Sequence, residues 1–287
     1  MEKGNKKLNK IVARIFCGLG NQMFIYATAR NLSLKTGLPL FLDVTSGYTN
    51  DFYKRSYSLY YFDINAQQAS DFESYSGLVG KLRRVIDRKL NPNYIVENKN
   101  LEFRAIHENM EYYYLEGFWQ SPKYFEENQD IIRSEFNLVG NLSKESLSIA
   151  ENIHKVNAVS LHLRSYKEVP KKFLPTVLPL NYYLQAIEKI KEKVQNPVFY
   201  CFSDDISLAK ETFQSENVIF VDIPFKGEVP NELQEMWLMS QCKHHIIANS
   251  TFSWWGAWLN GRKDKMVISP DFNWNNSDII PSDWIKI

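Results

Sequence analysis

The second half of the 287-residue chain alternates short apolar runs with longer helical patterns, and this alternation limits the folds open to it. Strands joined by crossover helices pair in parallel, because each crossover returns the chain to the same edge of the sheet. Helices then cover both faces of that sheet. The sequence predicts strands at 158–164, 198–202, 218–221, 245–248 and 266–269, with helices at 182–194, 206–213, 231–239 and 252–259.

The first half opens with a similar pattern, in which an apolar run at 11–16 leads into a glycine-containing turn. A helical pattern follows and stops at Gly37, and a second apolar run comes next. The turn contains Gly18 and Gly20, but Met23 stands where the dinucleotide-binding fingerprint requires a third small residue. We therefore expect the turn and the helix N-terminus to meet an anion or a sugar, and not NAD.

Between the opening pattern and the alternating second half, the sequence predicts a helical insertion, a strand and two further helices. Their expected positions are 67–90 for the insertion, 112–116 for the strand, and 121–136 and 144–153 for the helices. The polar residues that follow mark a junction between domains. We expect an N-terminal, acceptor-side domain at 1–155 and a C-terminal, donor-binding domain at 156–287.

Composition indicates a soluble globular protein and disfavours several partners. Hydrophobic residues make up 44% of the chain and charged residues 23%, which is ordinary for a globular protein. A formal net charge of +1 gives no field that would attract nucleic acid. Three cysteines without paired spacing argue against a disulfide framework and a zinc site. The polar start and the lack of a long apolar run predict a cytoplasmic protein without a membrane span, with peripheral association at the inner membrane face left open.

Polar residues follow the predicted strands at their carboxyl ends, which is where open parallel sheets bind ligands. Arg164 ends one strand, with His162 on the same face, and Asp204 follows the next strand. Individually, Asp204 and Thr251 are typical of helix N-caps. Together with Arg164 and two helix N-termini, they indicate a nucleoside diphosphate site, because cationic groups bind phosphates and a carboxylate binds ribose or base.

Five motifs resemble those of the α-1,2-fucosyltransferases of glycosyltransferase family 11, in order and from about residue 11 to 270. The motifs are Gly18–Phe24, Gly117–Ser121, His162–Arg164, Phe202–Asp205 and Asn249–Trp258. The resemblance implies an α/β fold of GT-B type, with two Rossmann-like domains facing an interdomain cleft. It also implies GDP-L-fucose as the donor substrate, a galactose-terminated glycan as acceptor, inversion at the sugar carbon, and neither cofactor nor metal.

The resemblance also implies roles for individual residues. Arg164 would bind the diphosphate with support from His162, and Asn21, in the loop of Gly18 and Gly20, would reach the fucose or diphosphate from the opposite domain. The nucleotide and phosphates would be contacted by Asp204, Ser250, Thr251, Phe252 and Ser253.

The arginine motif departs from the family pattern. Family members commonly read His-x-Arg-Arg-Gly-Asp-Tyr, whereas Ser165, Tyr166 and Lys167 follow Arg164 here. The second arginine and the aspartate are therefore absent, and Lys167 and Lys171 are the candidates to supply the missing charge.

Acceptor and base candidates lie in the first half of the chain. Trp119 and Gln120 follow a predicted strand and could contact the acceptor, although a core position is about equally expected for the tryptophan. Asp43 and Glu116 are the carboxylates at strand ends, and either could be a general base or a structural group.

The resemblance therefore implies an inverting glycosyltransferase that moves L-fucose from GDP-L-fucose to the 2-hydroxyl of a terminal galactose. A surface glycan such as an O-antigen is the expected product. Two alternatives remain: a GDP-sugar-binding protein without transfer activity, and a fucosyltransferase that forms another linkage.

Overall fold

The computed structural model describes residues 9–166, 177–214, 217–222, 227–272, 274 and 276–287. The chain divides into two compact units. The first contains Met1–Asn137 and Asn276–Ile279, and the second contains Leu138–Asn275 and Ile280–Ile287. Each unit has a parallel sheet of its own, which confirms the expected α/β class.

The sheet of the first unit has the strand order β3-β2-β1-β5-β4, and neighbouring strands pair in parallel. Short 3-10 turns replace the start of the helix predicted at 121–136. The strands are β1 (Lys10–Arg14), β2 (Leu40–Asp43), β3 (Gln67–Gln68), β4 (Tyr94–Val96) and β5 (Tyr112–Glu116), and the helices are α1 (Leu19–Thr36), α2 (Gly77–Leu90) and α3 (Gln129–Glu135).

The sheet of the second unit has the strand order β11-β10-β9-β6-β7-β8, again with parallel pairing. The strands are β6 (Asn157–Leu163), β7 (Pro197–Ser203), β8 (Val218–Phe220), β9 (His244–Ile246), β10 (Val267–Ser269) and β11 (Ile285–Lys286). The helices are α4 (Lys144–Ile153), α5 (Leu180–Lys193), α6 (Ile206–Thr212), α7 (Asn231–Gln241) and α8 (Thr251–Leu259).

Apolar side chains pack on both faces of the second sheet. On one face, Leu161 of β6 belongs to a buried cluster with Tyr183 and Ile187 of α5. On the other face, Phe202 of β7 packs in a cluster with Leu238 of α7. Because successive side chains of a strand point to opposite faces, helices are needed on both sides to exclude water from these apolar strands. The predicted two-sided cover is therefore confirmed.

The first helix ends where the sequence predicts. Gly37 adopts a left-handed backbone, with φ 71°, and its N–H donates to the Ser33 carbonyl oxygen. Glycine takes this conformation without the steric penalty of a side chain, so it terminates α1 after Thr36.

The division predicted at residue 155 differs from the structure, which divides the chain after Asn137. The reason is the packing of α4, which lies with the second sheet. The amide oxygen of Gln234 on α7 accepts from the Ser143 N–H at 2.9 Å and from the Ser146 hydroxyl at 2.7 Å. Ala150 and Ile153 of α4 complete the contact by packing in the α7 cluster.

The insertion is less helical than its pattern predicts. The chain forms the short strand β3 first, and α2 begins only at Gly77. Gly80 lies inside α2 without interrupting it, and its lack of a side chain lets the helix approach Tyr75, since a Cβ there would come within 2.3 Å of the Tyr75 carbonyl carbon. Among the described helices, none is long and apolar enough to cross a membrane.

Candidate functional site

The strand order of the second unit reverses between β6 and β9. The chain lays β7 and β8 on one side of β6, and β9, β10 and β11 on the other. Open parallel sheets bind ligands at such a reversal, beyond the carboxyl ends of the strands. Arg164 follows β6 and the segment 249–253 follows β9, so the structure brings these predicted residues to one place.

An ion pair with Asp204 positions Arg164. The guanidinium Nη1 lies 2.8 Å from Oδ2 of Asp204, and the other carboxylate oxygen accepts from the Ser165 N–H at 2.7 Å. The side chains of Arg164 and Asp204 are 24% and 14% exposed. Each oxygen of Asp204 thus has a partner within the chain, so Asp204 braces the end of β6, and its expected contact with the nucleotide stays a prediction.

Tyr166 stands where the family pattern differs, and it connects two strand ends. Its hydroxyl donates to the Asn249 carbonyl oxygen at 2.8 Å, and the Arg164 guanidinium carbon lies 5.1 Å from its ring centroid. Its backbone is left-handed, with φ 56°, which is uncommon for a bulky residue. Lys167 and Lys171 lie outside the described residues.

His162 is a buried, neutral side chain beneath Arg164. Burial, with a smaller contribution from Arg164, lowers the pKa of His162 to about 3, and Asp204 acts in the opposite direction. Its ring centroid lies 5.8 Å from that of Phe252. Within the described residues, its buried Nδ1 has no hydrogen-bond partner. A neutral imidazole in this place can support the site, but it cannot act as a cationic phosphate ligand.

The segment after β9 forms the N-terminus of α8. Ser250 occupies the N-cap position, yet its side chain makes no capping hydrogen bond. Ser253 is buried, and its hydroxyl oxygen accepts from the Ala248 N–H at 3.2 Å. Thr251 and Phe252 are half-buried. The helix therefore presents its positive end at the strand reversal, with Ser253 as an internal brace.

Glu235 on α7 lies close enough to Arg164 and Asp204 to interact electrostatically with both, and no sequence motif marks it. Burial raises the pKa of Glu235 to about 7, and the nearby charges of Glu232 and Asp204 act in the same direction while Arg164 opposes them. A second carboxyl group therefore shares the electrostatic environment of the Arg164–Asp204 pair. The sequence could not predict this position, because a single glutamate in a helical pattern usually faces solvent.

The strand order of the first unit also reverses, between β1 and β5. The glycine-containing turn after β1 leads into the first turn of α1, which contains Gly20 and Asn21, and the loop with Gln120 follows β5. The side-chain amide of Gln120 donates to Oδ1 of Asn21 at 2.7 Å. Two motifs separated by about a third of the chain thus meet at one sheet edge.

Gly18 is the N-cap residue of α1, and the loop around it is tightly held. The amide of Gln22 donates to the carbonyl oxygens of Cys17 and Ser56 at 3.0 and 2.9 Å. Arg55, which the sequence reading did not single out, reaches the same loop, since a Cβ on Gly18 would lie 3.8 Å from its Cδ. Its Nη2 pairs with Asp51 at 2.7 Å.

Trp119 is buried, which favours the core position over the acceptor contact that the sequence left about equally open. Only 2% of it is exposed, and its ring meets Tyr124 edge to face at 5.3 Å. The buried carboxylate of Glu97 accepts from the backbone N–H groups of Phe118 and Trp119, at 2.6 and 3.0 Å. Glu97, which no motif marked, therefore fixes the loop and turns the indole inward.

Asp43 and Glu116 each have partners within the chain, which favours the structural alternative over a role as general base. Asp43 is fully buried and accepts from the Ser46 N–H at 2.9 Å and the Tyr114 hydroxyl at 2.7 Å. Glu116 pairs with Arg84 at 2.7 Å. Burial favours a higher pKa for Glu116, but hydrogen bonds from Tyr94 and Arg84 outweigh it and lower the pKa. A carboxylate bound in this way is a poor proton acceptor.

A cavity of about 580 Å³ lies near the carboxyl ends of β1 and β2 in the first unit. Arg14 contributes to its wall, and Nε of Arg14 donates to the Ser46 hydroxyl at 2.9 Å. Hydroxyl and amide groups can hydrogen-bond a sugar, and the cationic groups can bind an anionic group next to that sugar. The polar and basic residues that line the cavity include Thr45, Ser46, Asn50, Lys81 and Arg84. Over the described ranges, no three His, Cys, Asp or Glu side chains are grouped so that they could hold a metal ion.

Comparison with known proteins identifies the family. Residues 90–286 match the family model described as Glycosyl transferase family 11. An alpha-1,2-colitosyltransferase of Escherichia coli is 32% identical, over 96% of this chain and 98% of that protein. The O-antigen biosynthesis glycosyltransferase WbnK of Escherichia coli is 30% identical, over 94% and 98%.

A solved structure supports the fold. A mutant of FUT1 from Arabidopsis thaliana in complex with GDP superimposes with a TM-score of 0.53 at 12% identity, covering 92% of this chain and 71% of that chain. The expected fold of GT-B type is therefore confirmed. The chain belongs to glycosyltransferase family 11 and has a fold of GT-B type.

Proposed function

We propose that this enzyme transfers L-fucose from GDP-L-fucose to the 2-hydroxyl of a terminal galactose, with inversion at the sugar carbon. The observation that carries the proposal is the pair of Arg164 and the α8 N-terminus at the strand reversal of the second unit. A guanidinium and a helix N-terminus are two groups that bind a diphosphate well. The α-1,2 linkage in the name of one relative supports the proposed regiochemistry.

In the proposed donor complex, Arg164 binds the diphosphate through guanidinium N–H groups other than the one on Asp204. The first turn of α8, at Ser250, Thr251 and Phe252, adds backbone N–H groups to the same anion. Asp204 acts as a positioning residue, because its ion pair fixes the plane of the guanidinium. The neutral ring of His162 supports this face without adding charge.

Bond breaking at the sugar carbon leaves negative charge on the departing GDP. Arg164 stabilises this charge more strongly in the transition state than in the bound donor, which is the condition for catalysis. The acceptor hydroxyl attacks from the opposite face, so the configuration inverts, and its proton passes to solvent as the glycosidic bond forms. Little assistance from a base is required, because an oxocarbenium-like carbon accepts a weak nucleophile. This accords with the structural roles of Asp43 and Glu116.

The acceptor is proposed to bind in the cavity of the first unit. Its hydroxyl-rich wall at Thr45 and Ser46 can exchange hydrogen bonds with sugar hydroxyls, and Arg14 orients Ser46. The contact between Asn21 and Gln120 holds the two neighbouring loops in register. A pocket at the carboxyl ends of parallel strands is the usual location for a ligand in such a sheet.

Transfer of colitose is the second candidate activity. The 32% identical relative is named for that sugar, and colitose is L-fucose without its 3-hydroxyl. A site that hydrogen-bonds a substrate hydroxyl strongly rejects the analogue that lacks it, whereas the reverse discrimination is weak. The ratio of kcat/KM for the two GDP-sugars therefore decides between these donors.

The test is a panel of donors and acceptors with linkage analysis of each product. GDP-L-fucose, GDP-colitose and GDP-mannose are each combined with lactose and with a lacto-N-biose acceptor, and products are assigned by NMR. We expect fucose on the 2-hydroxyl of galactose. A fucosylated product with another linkage would contradict the proposed regiochemistry. Binding of GDP-L-fucose without transfer to any acceptor would instead support a silent GDP-sugar-binding protein.

A further inference from the structure

Helix α2 turns its apolar side chains away from its own unit. Six of them are between 56% and 82% exposed, and at about 3.6 residues per turn they fall within an arc of about 140°. A surface helix normally buries such a stripe against the core. These six residues, named here the apolar face of α2, are Leu78, Val79, Leu82, Val85, Ile86 and Leu90.

The opposite side of α2 is fixed to the first unit by specific contacts. Gly80 is buried against the backbone of Tyr75. Arg84 pairs with Glu116 at 2.7 Å, and Asp87 accepts from the Tyr75 hydroxyl at 2.9 Å. Turning the apolar face inward would break these contacts, move Arg84 and Asp87 to the solvent side, and leave the buried Glu116 carboxylate without its Arg84 partner. The outward orientation is therefore built into the fold.

Basic side chains border the apolar face. By helical geometry, Lys81 and Arg88 lie along one edge of it, Arg83 lies along the other, and Lys89 lies within it. In the part of the chain that the structure describes, neither Lys81 nor Lys89 forms an ion pair. The helix has five basic residues and a single carboxylate, whereas the whole chain has a formal net charge of only +1.

We propose that α2 docks the enzyme on the surface of a membrane that carries anionic lipids. The apolar face enters the boundary between headgroups and acyl chains, and the basic side chains bind the anionic headgroups. The helix has 14 residues, which suits a segment that lies in the interface and is too short to span the bilayer. A second copy of the chain is a poorer occupant, because a symmetric contact would bring two sets of basic residues together.

Docking by α2 has a consequence for the acceptor. Leu78, Lys81 and Arg84 also line the cavity of the first unit, so a docked helix brings that cavity to the bilayer surface. A galactoside attached to a lipid of the same membrane would be concentrated there. This consequence rests on the proposed acceptor role of the cavity, whereas the docking itself does not.

The test is co-sedimentation of the full chain with vesicles. Vesicles of phosphatidylcholine alone are compared with vesicles of equal parts phosphatidylcholine and phosphatidylglycerol. We expect binding to the anionic vesicles, and we expect it to weaken as salt is added. The double variants Leu82→Ser/Ile86→Ser and Arg88→Glu/Lys89→Glu should each lower the partition coefficient at least about tenfold.

Matched controls change similar side chains elsewhere on the surface. Leu147→Ser replaces an exposed leucine of α4, and Lys263→Glu reverses an exposed lysine in the loop before β10. Both should bind vesicles like the parent chain. Circular dichroism and the melting temperature establish that each variant is folded.

Two kinds of result would overturn the proposal. One is failure of the parent chain to bind anionic vesicles, or equal binding by the α2 variants. The other is concentration-dependent dimerisation, measured by light scattering, that Leu82→Ser/Ile86→Ser abolishes while vesicle binding is absent. Sedimentation requires neither donor nor acceptor, so its outcome is independent of the proposed transfer reaction.

Discussion

At the scale of single residues, the candidate site of the second unit depends on the contacts that position the Arg164 guanidinium. Arg164 reaches the strand reversal with one guanidinium nitrogen on Asp204 and with its plane near the Tyr166 ring. The family pattern supplies a second arginine after this position, and Ser165 stands there instead. Among the described residues of this strand end, Arg164 therefore carries the positive charge.

Arg164→Ala should lower kcat by roughly a hundredfold or more, because removal of one preorganised donor to a developing anion has about this effect. Arg164→Lys should restore little activity, since an ammonium lacks the planar fork of the guanidinium. Steady-state kinetics with GDP-L-fucose measure both effects, and circular dichroism controls for folding. Transfer by Arg164→Ala at close to the parent rate would remove Arg164 from the mechanism.

Asp204→Asn tests the positioning of Arg164 separately from its charge. The substitution keeps the size of the side chain but removes the anionic partner of the guanidinium. We expect kcat to fall about tenfold while the KM for GDP-L-fucose changes less, because orientation matters most in the transition state. A large rise in KM with unchanged kcat would instead indicate direct binding of the nucleotide by Asp204.

The pKa of His162 predicts an acid-dependent loss of stability. Burial lowers this pKa from 6.5 to about 3, so the unfolded chain binds a proton that the folded chain excludes. The free energy of unfolding therefore decreases as the pH falls from about 6.5 towards 3, by at most about 5 kcal/mol. His162→Gln should flatten the melting temperature over this pH range, whereas His107→Gln, at an exposed histidine, should not.

At the scale of elements, two loops are fixed by buried polar side chains, of which Glu97 lies outside every motif and Gln22 lies inside the motif Gly18–Phe24. Glu97 accepts two backbone N–H groups of the loop after β5, and Gln22 bridges the loop after β1 to Ser56. Each loop follows a strand at the reversal of the first sheet. Their fixed shapes, and not the strands alone, bring Asn21 and Gln120 into contact.

Gly117→Ala should destabilise the first unit by about 2 kcal/mol, because overpacking a fixed site has a cost of this order. A Cβ at this position would lie 2.3 Å from Cβ of Glu97 and 2.9 Å from the Trp119 ring. Gly18→Ala is the matched control, since the nearest atom to a Cβ there is 3.8 Å away. Urea unfolding compares the two variants, and equal midpoints would contradict the predicted clash.

At the scale of the whole molecule, positive charge is localised and the net charge is close to neutral. The formal net charge is +1, yet basic groups gather on α2 and Arg164 stands at the strand reversal of the second unit. In both proposals, the functional positive charge belongs to a particular surface, either α2 or the strand end at Arg164. A general attraction to polyanions is not expected.

Removal of divalent metals should leave the transfer rate unchanged. In the proposed mechanism, Arg164 and the α8 N-terminus supply the positive charge that stabilises the departing GDP. The rate with GDP-L-fucose is compared before and after treatment with EDTA. A loss of activity that magnesium or manganese restores would show that a metal ion carries part of that role.

The sequence by itself determined the parallel sheets, the end of α1 at Gly37 and the family, because apolar periodicity, glycine conformation and motif order are local properties of the chain. Only the tertiary structure decided which side chains the strand reversals bring together and which ones they bury. In the folded chain, Arg164 pairs with Asp204 and Trp119 is buried in the core. The carboxylates of Asp43 and Glu116 bind hydrogen-bond and ion-pair partners within the chain. The tertiary structure also directed the apolar face of α2 outward, since periodicity shows that a helix has two faces but not which of them meets the protein.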